Sequence, residues 1–125
     1  KVVVVTGAAG AIGKAVAKAF QGEGAEVILL DFSKEGLKLT AEDIGGHPIC
    51  CDVTKPRQVA SAFNQITALY GGVDILVSNA GIALQGRIGE VSDEVLRRSF
   101  EVYFFAHQNV SVLVIFFDLS ACPQI

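Results

Sequence analysis

The sequence predicts an α/β fold, a doubly wound parallel sheet ending after about four to five strands. Three observations predict it. Short β-branched runs alternate with stretches of helical period, the pattern of successive βαβ units. The first run, Val2-Val3-Val4-Val5, is apolar at every position, as a strand covered by helices on both faces can be. Glycines, or a Ser, Thr or Asp, punctuate the chain wherever a strand or helix would have to end.

The elements follow in order. After the first strand comes a glycine-rich turn, then Ile12, Val16, Ala19 and Phe20 at helical spacing, with Lys14, Lys18 and Gln21 opposite them. Gly22 and Gly24 end that helix. Val27-Ile28-Leu29-Leu30 forms a second buried strand closed by Asp31. Ser33 caps a short helix running to about Ile44, although Gly36 weakens it. Gly45-Gly46 break the chain, and Ile49-Cys50-Cys51 is the third strand. Thr54 caps a longer helix with Pro56 in its first turn, where a missing N–H is tolerated. Val59, Phe63, Ile66 and Tyr70 line one face of it, and Gly71-Gly72 stop it. Residues 73–78 form strand four. A loop leads to Val91, and Ser92 caps a helix whose first turn carries Asp93 and Glu94, as the helix dipole favours. Leu96, Phe100, Tyr103 and His107 share one face of that helix. Residues 112–117 have the character of a fifth strand. No repeat or linker marks an internal boundary.

Composition narrows the function classes. Hydrophobic residues make up 51% of the chain and charged residues 18%, which excludes disorder and allows one sizeable core. At a net charge of -3, with Lys and Arg scattered among acids, no basic stripe exists to neutralise phosphates, so nucleic acid is not an expected partner. The longest apolar stretch, residues 110–117 broken by Ser111, falls short of the roughly 20 residues that cross a bilayer, and no secretory leader opens the chain. A soluble cytoplasmic protein without a membrane partner is expected. Cys50, Cys51 and Cys122 make no disulfide framework, and without a CxxC pair or a His cluster no metal site is expected. The cysteines read as inert apolar filler in a reducing compartment. The chain contains no Met, so Lys1 is not an unprocessed start; a trimmed chain or a piece of a longer one is expected.

The chemistry-bearing motif is Thr6-Gly7-Ala8-Ala9-Gly10-Ala11-Ile12-Gly13, set between a buried strand and an amphipathic helix. Small residues at the bends let the backbone approach a pyrophosphate, whose charge meets free N–H groups at the helix start. Gly13 allows close packing of helix on strand. Asp31 ends the second strand about 20 residues further on, where a carboxylate accepts hydrogen bonds from an adenosine ribose. The same carboxylate repels the extra phosphate of NADP, and neutral Phe32 follows it, so NAD is the expected cofactor. These are the parts of a Rossmann-type dinucleotide fold.

Thr6-Gly7 through Gly13, Asp52-Val53 and Asn79-Ala80-Gly81, in that order and each after a predicted strand, resemble the signatures of the short-chain dehydrogenases/reductases. The resemblance spans residues 2–110. It implies that Gly7, Gly10, Ala11, Ile12 and Gly13 hold the diphosphate, that Asp52 and Val53 lie against the adenine, and that Asn79, Ala80 and Gly81 shape the sheet beside the cofactor. One departure is Ala11, where the family usually has a second Gly. A narrower resemblance covers Gly86-Arg87-Ile88-Gly89-Glu90-Val91-Ser92, Ser99-Phe100-Glu101 and Phe104-Phe105-Ala106-His107-Gln108-Asn109-Val110. It points to the dehydrogenase portion of bifunctional rhamnulose-phosphate aldolase/alcohol dehydrogenases.

The family's activity is reversible alcohol–carbonyl interconversion on a small-molecule substrate. It uses a Ser and a Tyr followed four residues later by a Lys. No Tyr-x-x-x-Lys occurs here, and the only tyrosines are Tyr70, expected in the core, and Tyr103. Tyr103 stands where the family has an Asn that supports a proton relay, a role a phenol cannot copy. Ser120 is out of register for the family's Ser. Hence no catalytic residue is assigned. Residues 1–110 are read as an NAD-binding half-domain and 111–125 as an aberrant or truncated tail, with the fifth strand as its alternative. Family members assemble as dimers or tetramers through the fourth and fifth helices, which makes a homo-oligomer an open partner. A dinucleotide-binding module without catalysis, or a non-functional fragment, are the competing readings.

Overall fold

The computed structural model describes residues 1–82, 87 and 89–121, with 115–121 as helical backbone only. The described residues alternate β1 (Val2–Thr6), α1 (Ala11–Gly22), β2 (Glu26–Asp31), α2 (Lys34–Ile44), β3 (His47–Cys50), α3 (Pro56–Tyr70), β4 (Ile75–Val77) and α4 (Asp93–Phe100). A π-helical segment, Glu101–Phe105, joins α4 without a break to α5 (Ala106–Ala121). All pairings are parallel, in the order β3-β2-β1-β4. The chain works outward from β1 to β3, then returns to the other side of β1 for β4. That reversal opens a crevice beyond the C-terminal ends of β1 and β4, where α/β sheets take ligands.

The alternation of side chains along β1 divides the core into two layers. Val3 and Val5 face Ala17, Leu29 and Leu37, under α1 and α2. Val4 faces Ile28, Leu30, Phe63 and Ile66, under α3, with Ala106 and Val110 from α5 in the same layer. Val3, Val4 and Val5 are all fully buried, as the uninterrupted apolar run predicts. Ser33 and Ser92 cap α2 and α4, accepting from the N–H groups of Gly36 and Val95. Gly71 ends α3 in the left-handed conformation.

Several expectations are corrected. Residues 112–117 are not a fifth strand; they continue α5. Leu113 and Val114 pack on the layer that buries Ala106 and Val110, a helical spacing, and extending a formed helix fixes only one residue per new hydrogen bond. Of the predicted stripe, Leu96, Phe100 and Tyr103 are exposed and His107 is half-buried, whereas Val102, Ala106 and Val110, four residues apart, are buried. These smaller side chains let the helix approach the sheet, so the large aromatics turn outward. On α1 the buried residues are Gly13 and Ala17, while Ala19 and Ile12 are exposed and Val16 and Phe20 half-buried. β3 starts at His47 and excludes Cys51, and β4 is confined to Ile75–Val77. The residue capping α3 is Lys55, because the Thr54 hydroxyl donates instead to Asp52 Oδ1 at 2.7 Å. Cys50 is exposed rather than core, and Cys51 is buried. Gly86 and Ile88 of the narrower resemblance, and Cys122 with the three residues after it, lie outside the described residues.

Candidate functional site

β1 carries the chain to Thr6, and Gly7 then turns it with a left-handed φ of 67°. A Cβ at Gly7 would also press Ala80 Cα at 2.9 Å. Gly10 donates its N–H to the Gly7 carbonyl at 3.1 Å, and α1 begins immediately after it. Gly13 is buried against this turn: a Cβ there would stand 2.2 Å from the Gly7 oxygen. No side chain caps α1, and no acid sits in its first turn. The first N–H groups of α1 therefore stand without a side-chain cap at the positive end of the helix dipole. Ile12 is 71% exposed at this rim.

β2 pairs with β1 in a register that sets Leu30 against Thr6, so Asp31 arrives beside the turn. Its Oδ2 accepts the Ala9 N–H at 3.1 Å, and its Oδ1 accepts the Ser33 N–H at 2.9 Å. Asp31 lines a cavity of about 170 Å³ together with Gly7, Asp52, Val53, Ala80 and Gly81. Six of the sequence-predicted residues thus meet at one cavity from four separate loops, while Gly10, Ala11, Ile12, Gly13 and Asn79 are not in its wall.

Each loop is held from behind. Asp52 Oδ1 accepts the Thr54 N–H at 3.0 Å, and the Asp52 N–H donates to Gln58 Oε1 at 2.9 Å. The Val53 carbonyl accepts from Asn109 Nδ2 at 3.1 Å, which ties this loop to α5. Asn79 donates through Nδ2 to the Thr6 carbonyl at 3.1 Å, and the Thr6 hydroxyl oxygen accepts the N–H groups of Asn79 and Ala80 at 2.9 and 3.0 Å. Asn79 is thus a brace between β4 and the glycine turn, while Ala80 and Gly81 face the cavity. Ser78 Oγ and His107 Nδ1 share a hydrogen bond, and the Tyr103 hydroxyl donates to the Ile82 carbonyl.

Sequence reasoning missed other members of the cavity wall. Phe32, 71% exposed, and Lys55 line one part, and Arg98, Glu101 and Val102 line another. Lys55 and Phe32 adjoin marked residues and were findable by proximity. Arg98 and Val102 come from α4 and the π segment and carry no local signal. Burial, with neighbouring Asp52 and Cys50, pushes the Cys51 thiol in the same wall up to about 11. Among the described residues no group of His, Cys, Asp or Glu could hold a metal ion, and no helix is long and apolar enough to cross a membrane.

Comparison with known proteins agrees with this geometry. The sequence model of the short chain dehydrogenase family matches residues 1–117. The chain is 39% identical over 99 residues to the uncharacterised oxidoreductase YuxG of Bacillus subtilis (strain 168), covering 74% of this chain and 14% of that protein. Its fold is similar to that of the actinorhodin polyketide ketoreductase solved with NADPH (TM-score 0.88, 28% identity, 92% of this chain and 46% of that one). It is equally close to the 3-ketoacyl-(acyl-carrier-protein) reductase of Brucella melitensis complexed with NADH (TM-score 0.88, 31% identity, 92% and 48%). The chain spans less than half the length of each of these three proteins. With that match over nearly its whole length, and the parallel sheet and glycine turn to go with it, the chain belongs to the short chain dehydrogenase family of oxidoreductases.

Proposed function

We propose that this chain holds NAD for an oxidoreductase that interconverts an alcohol and a carbonyl on a small-molecule substrate. The carrying observation is that Asp31 and the turn leading to the uncapped start of α1 lie together at the C-terminal ends of β2 and β1, with Asp31 and Gly7 on a shared cavity. The residues fit the cofactor. Gly7 and Gly13 let the turn pack tightly on the end of β4 and on α1, where a Cβ would clash, and the bare helix N-terminus suits a diphosphate. Asp31 and the Asp52-Val53 loop would hold the adenosine, and the turn after β1 the diphosphate. The bound nicotinamide supplies the hydride donor or acceptor; this chain supplies orientation and electrostatics.

The sequence holds no Tyr-x-x-x-Lys, so in this reading the group that moves the hydroxyl proton lies elsewhere, and the chain alone binds without turnover. Residues 1–110 form the NAD-binding unit, and 111–121 extend its last helix. A cytoplasmic homo-oligomer that contacts neither nucleic acid nor membrane completes the proposal.

One observation favours NADP instead: Lys55 and Arg98 line the same cavity as Asp31. Calorimetric titration of the chain with NAD and NADP separates the two. The expected result is tighter binding of NAD, and a loss of about tenfold or more for NAD alone in Asp31→Ala, the size of a charge-assisted hydrogen-bond pair. Tighter NADP binding would replace the cofactor; binding of neither would end the reading.

A further inference from the structure

We propose that Tyr103 sets the width of the cleft at its nicotinamide end by pinning the backbone where it leaves β4. The proposal rests on the cofactor reading above and adds a positioning residue to it. Tyr103 stands at the centre of the π-helical segment Glu101–Phe105, and π segments within α-helices occur mostly at functional sites. Tyr103 is 53% exposed, so burial alone does not fix its ring. Two contacts do. The ring edge lies over Gly81, where an added Cβ would come 3.1 Å from Cε1. The hydroxyl donates to the Ile82 carbonyl. Gly81 and Ile82 both line the cavity shared with Gly7 and Asp31. Tyr103 therefore acts on the cleft through these two residues.

Strand order gives the position its meaning. β1 lies between β2 and β4. A dinucleotide with its adenosine ribose at Asp31, on β2, and its phosphates at the turn after β1 must carry its second ribose and base across the end of β4. Ala80, Gly81 and Ile82 are that end. The earlier part of this exit is braced separately: Ser78 by His107, and the N–H groups of Asn79 and Ala80 by the Thr6 hydroxyl. Beyond Ala80 the bracing passes to Tyr103, and it acts on a glycine, where backbone freedom is greatest.

Tyr103→Phe deletes the hydroxyl and keeps the ring over Gly81. The chain and this variant are titrated with NADH, followed by the emission of the bound nicotinamide, and with ADP, which ends at the diphosphate. The expected result is NADH binding weakened about three- to tenfold, the range of one lost hydrogen bond, with altered nicotinamide emission and ADP affinity unchanged. Gly81→Ala, which drives a methyl into the ring, is expected to give the same NADH-selective loss without touching the hydroxyl. Parallel losses for both ligands would reduce Tyr103 to a structural role and overturn the proposal, as would no change in either variant. A parent chain that binds neither ligand would instead overturn the cofactor reading and this proposal with it. Normal parental binding with indifferent variants overturns the positioning role alone.

Discussion

Gly13 is required by a distance rather than by a torsion angle. Its φ is not left-handed, yet a methyl group there would overlap the Gly7 carbonyl and crowd Asn79 Nδ2 at 2.9 Å. Backbone sits on one side and a braced side chain on the other, so nothing can yield cheaply. Gly13→Ala is expected to lower stability by about 3 kcal/mol, the upper range of core overpacking, and to abolish dinucleotide binding. Urea denaturation measures the first; an alanine variant as stable as its parent would mean that the turn and α1 can separate. Cys51 supplies a pH dependence. Its thiol is raised from 9.0 to about 11 by burial, then by Asp52 and Cys50. Above about pH 9 the unfolded chain ionises this thiol while the folded chain does not. The stability it contributes is complete below that pH and is lost as pH rises to about 11, on the order of 2–3 kcal/mol. Unfolding midpoints at about pH 8 and 10.5 should fall further apart in the parent than in Cys51→Ala; identical drops would remove Cys51 as the cause.

At the scale of elements, Gly36 shows how one helix is fitted to the site. In α2 an alanine would gain about 1 kcal/mol of helix propensity. Its Cβ, however, would stand 2.7 Å from Ala9 Cβ and 3.0 Å from the capping Ser33 Oγ, and overpacking of that kind costs about 1–3 kcal/mol. Gly36→Ala is therefore expected to destabilise by about 1 kcal/mol and to weaken cofactor binding, since Ala9 carries the N–H that Asp31 accepts. A gain in melting temperature would show that α2 can retreat. The same glycine made α2 look weak in the sequence, because propensity registers the cost of Gly in a helix and not the neighbour it admits. The helix after β4 misleads in another way. It is apolar on two faces, so periodicity finds a stripe at Leu96, Phe100 and Tyr103 but cannot say which face the sheet covers. The β-branched and aromatic run from 112 to 117 likewise suits a strand until a helix already formed at Ala106 extends through it.

On the scale of the molecule, one surface stands out. Leu96, Phe100, Phe104 and Phe105 are 52–62% exposed along α4 and the π segment, and Val112 on α5 is 41% exposed. Contiguous apolar area of this kind marks an interaction surface or an aggregation liability. The chain is expected to self-associate as its concentration rises, seen as increasing weight-average mass in sedimentation equilibrium. Phe104→Lys should shift it toward monomer without changing dinucleotide affinity, because Phe104 is not in the cavity wall. A parent chain that stays monomeric throughout would show that the aromatics are tolerated in water.

A family resemblance supplied Asp52, Val53, Ala80 and Gly81; the amino-acid order alone determined the α/β class, the strand-turn-helix at Thr6 to Gly13 and the choice of Asp31. Those inferences are local: backbone torsion, side-chain period and short motifs act within a few residues. Only the tertiary structure decided that Asn79 braces the turn, that Arg98 and Val102 close the cavity, that Tyr103 holds Ile82, and that the final apolar run is helix. Each of these depends on contacts between segments far apart in the chain, and which face of a doubly apolar helix is buried is settled by the sheet it meets.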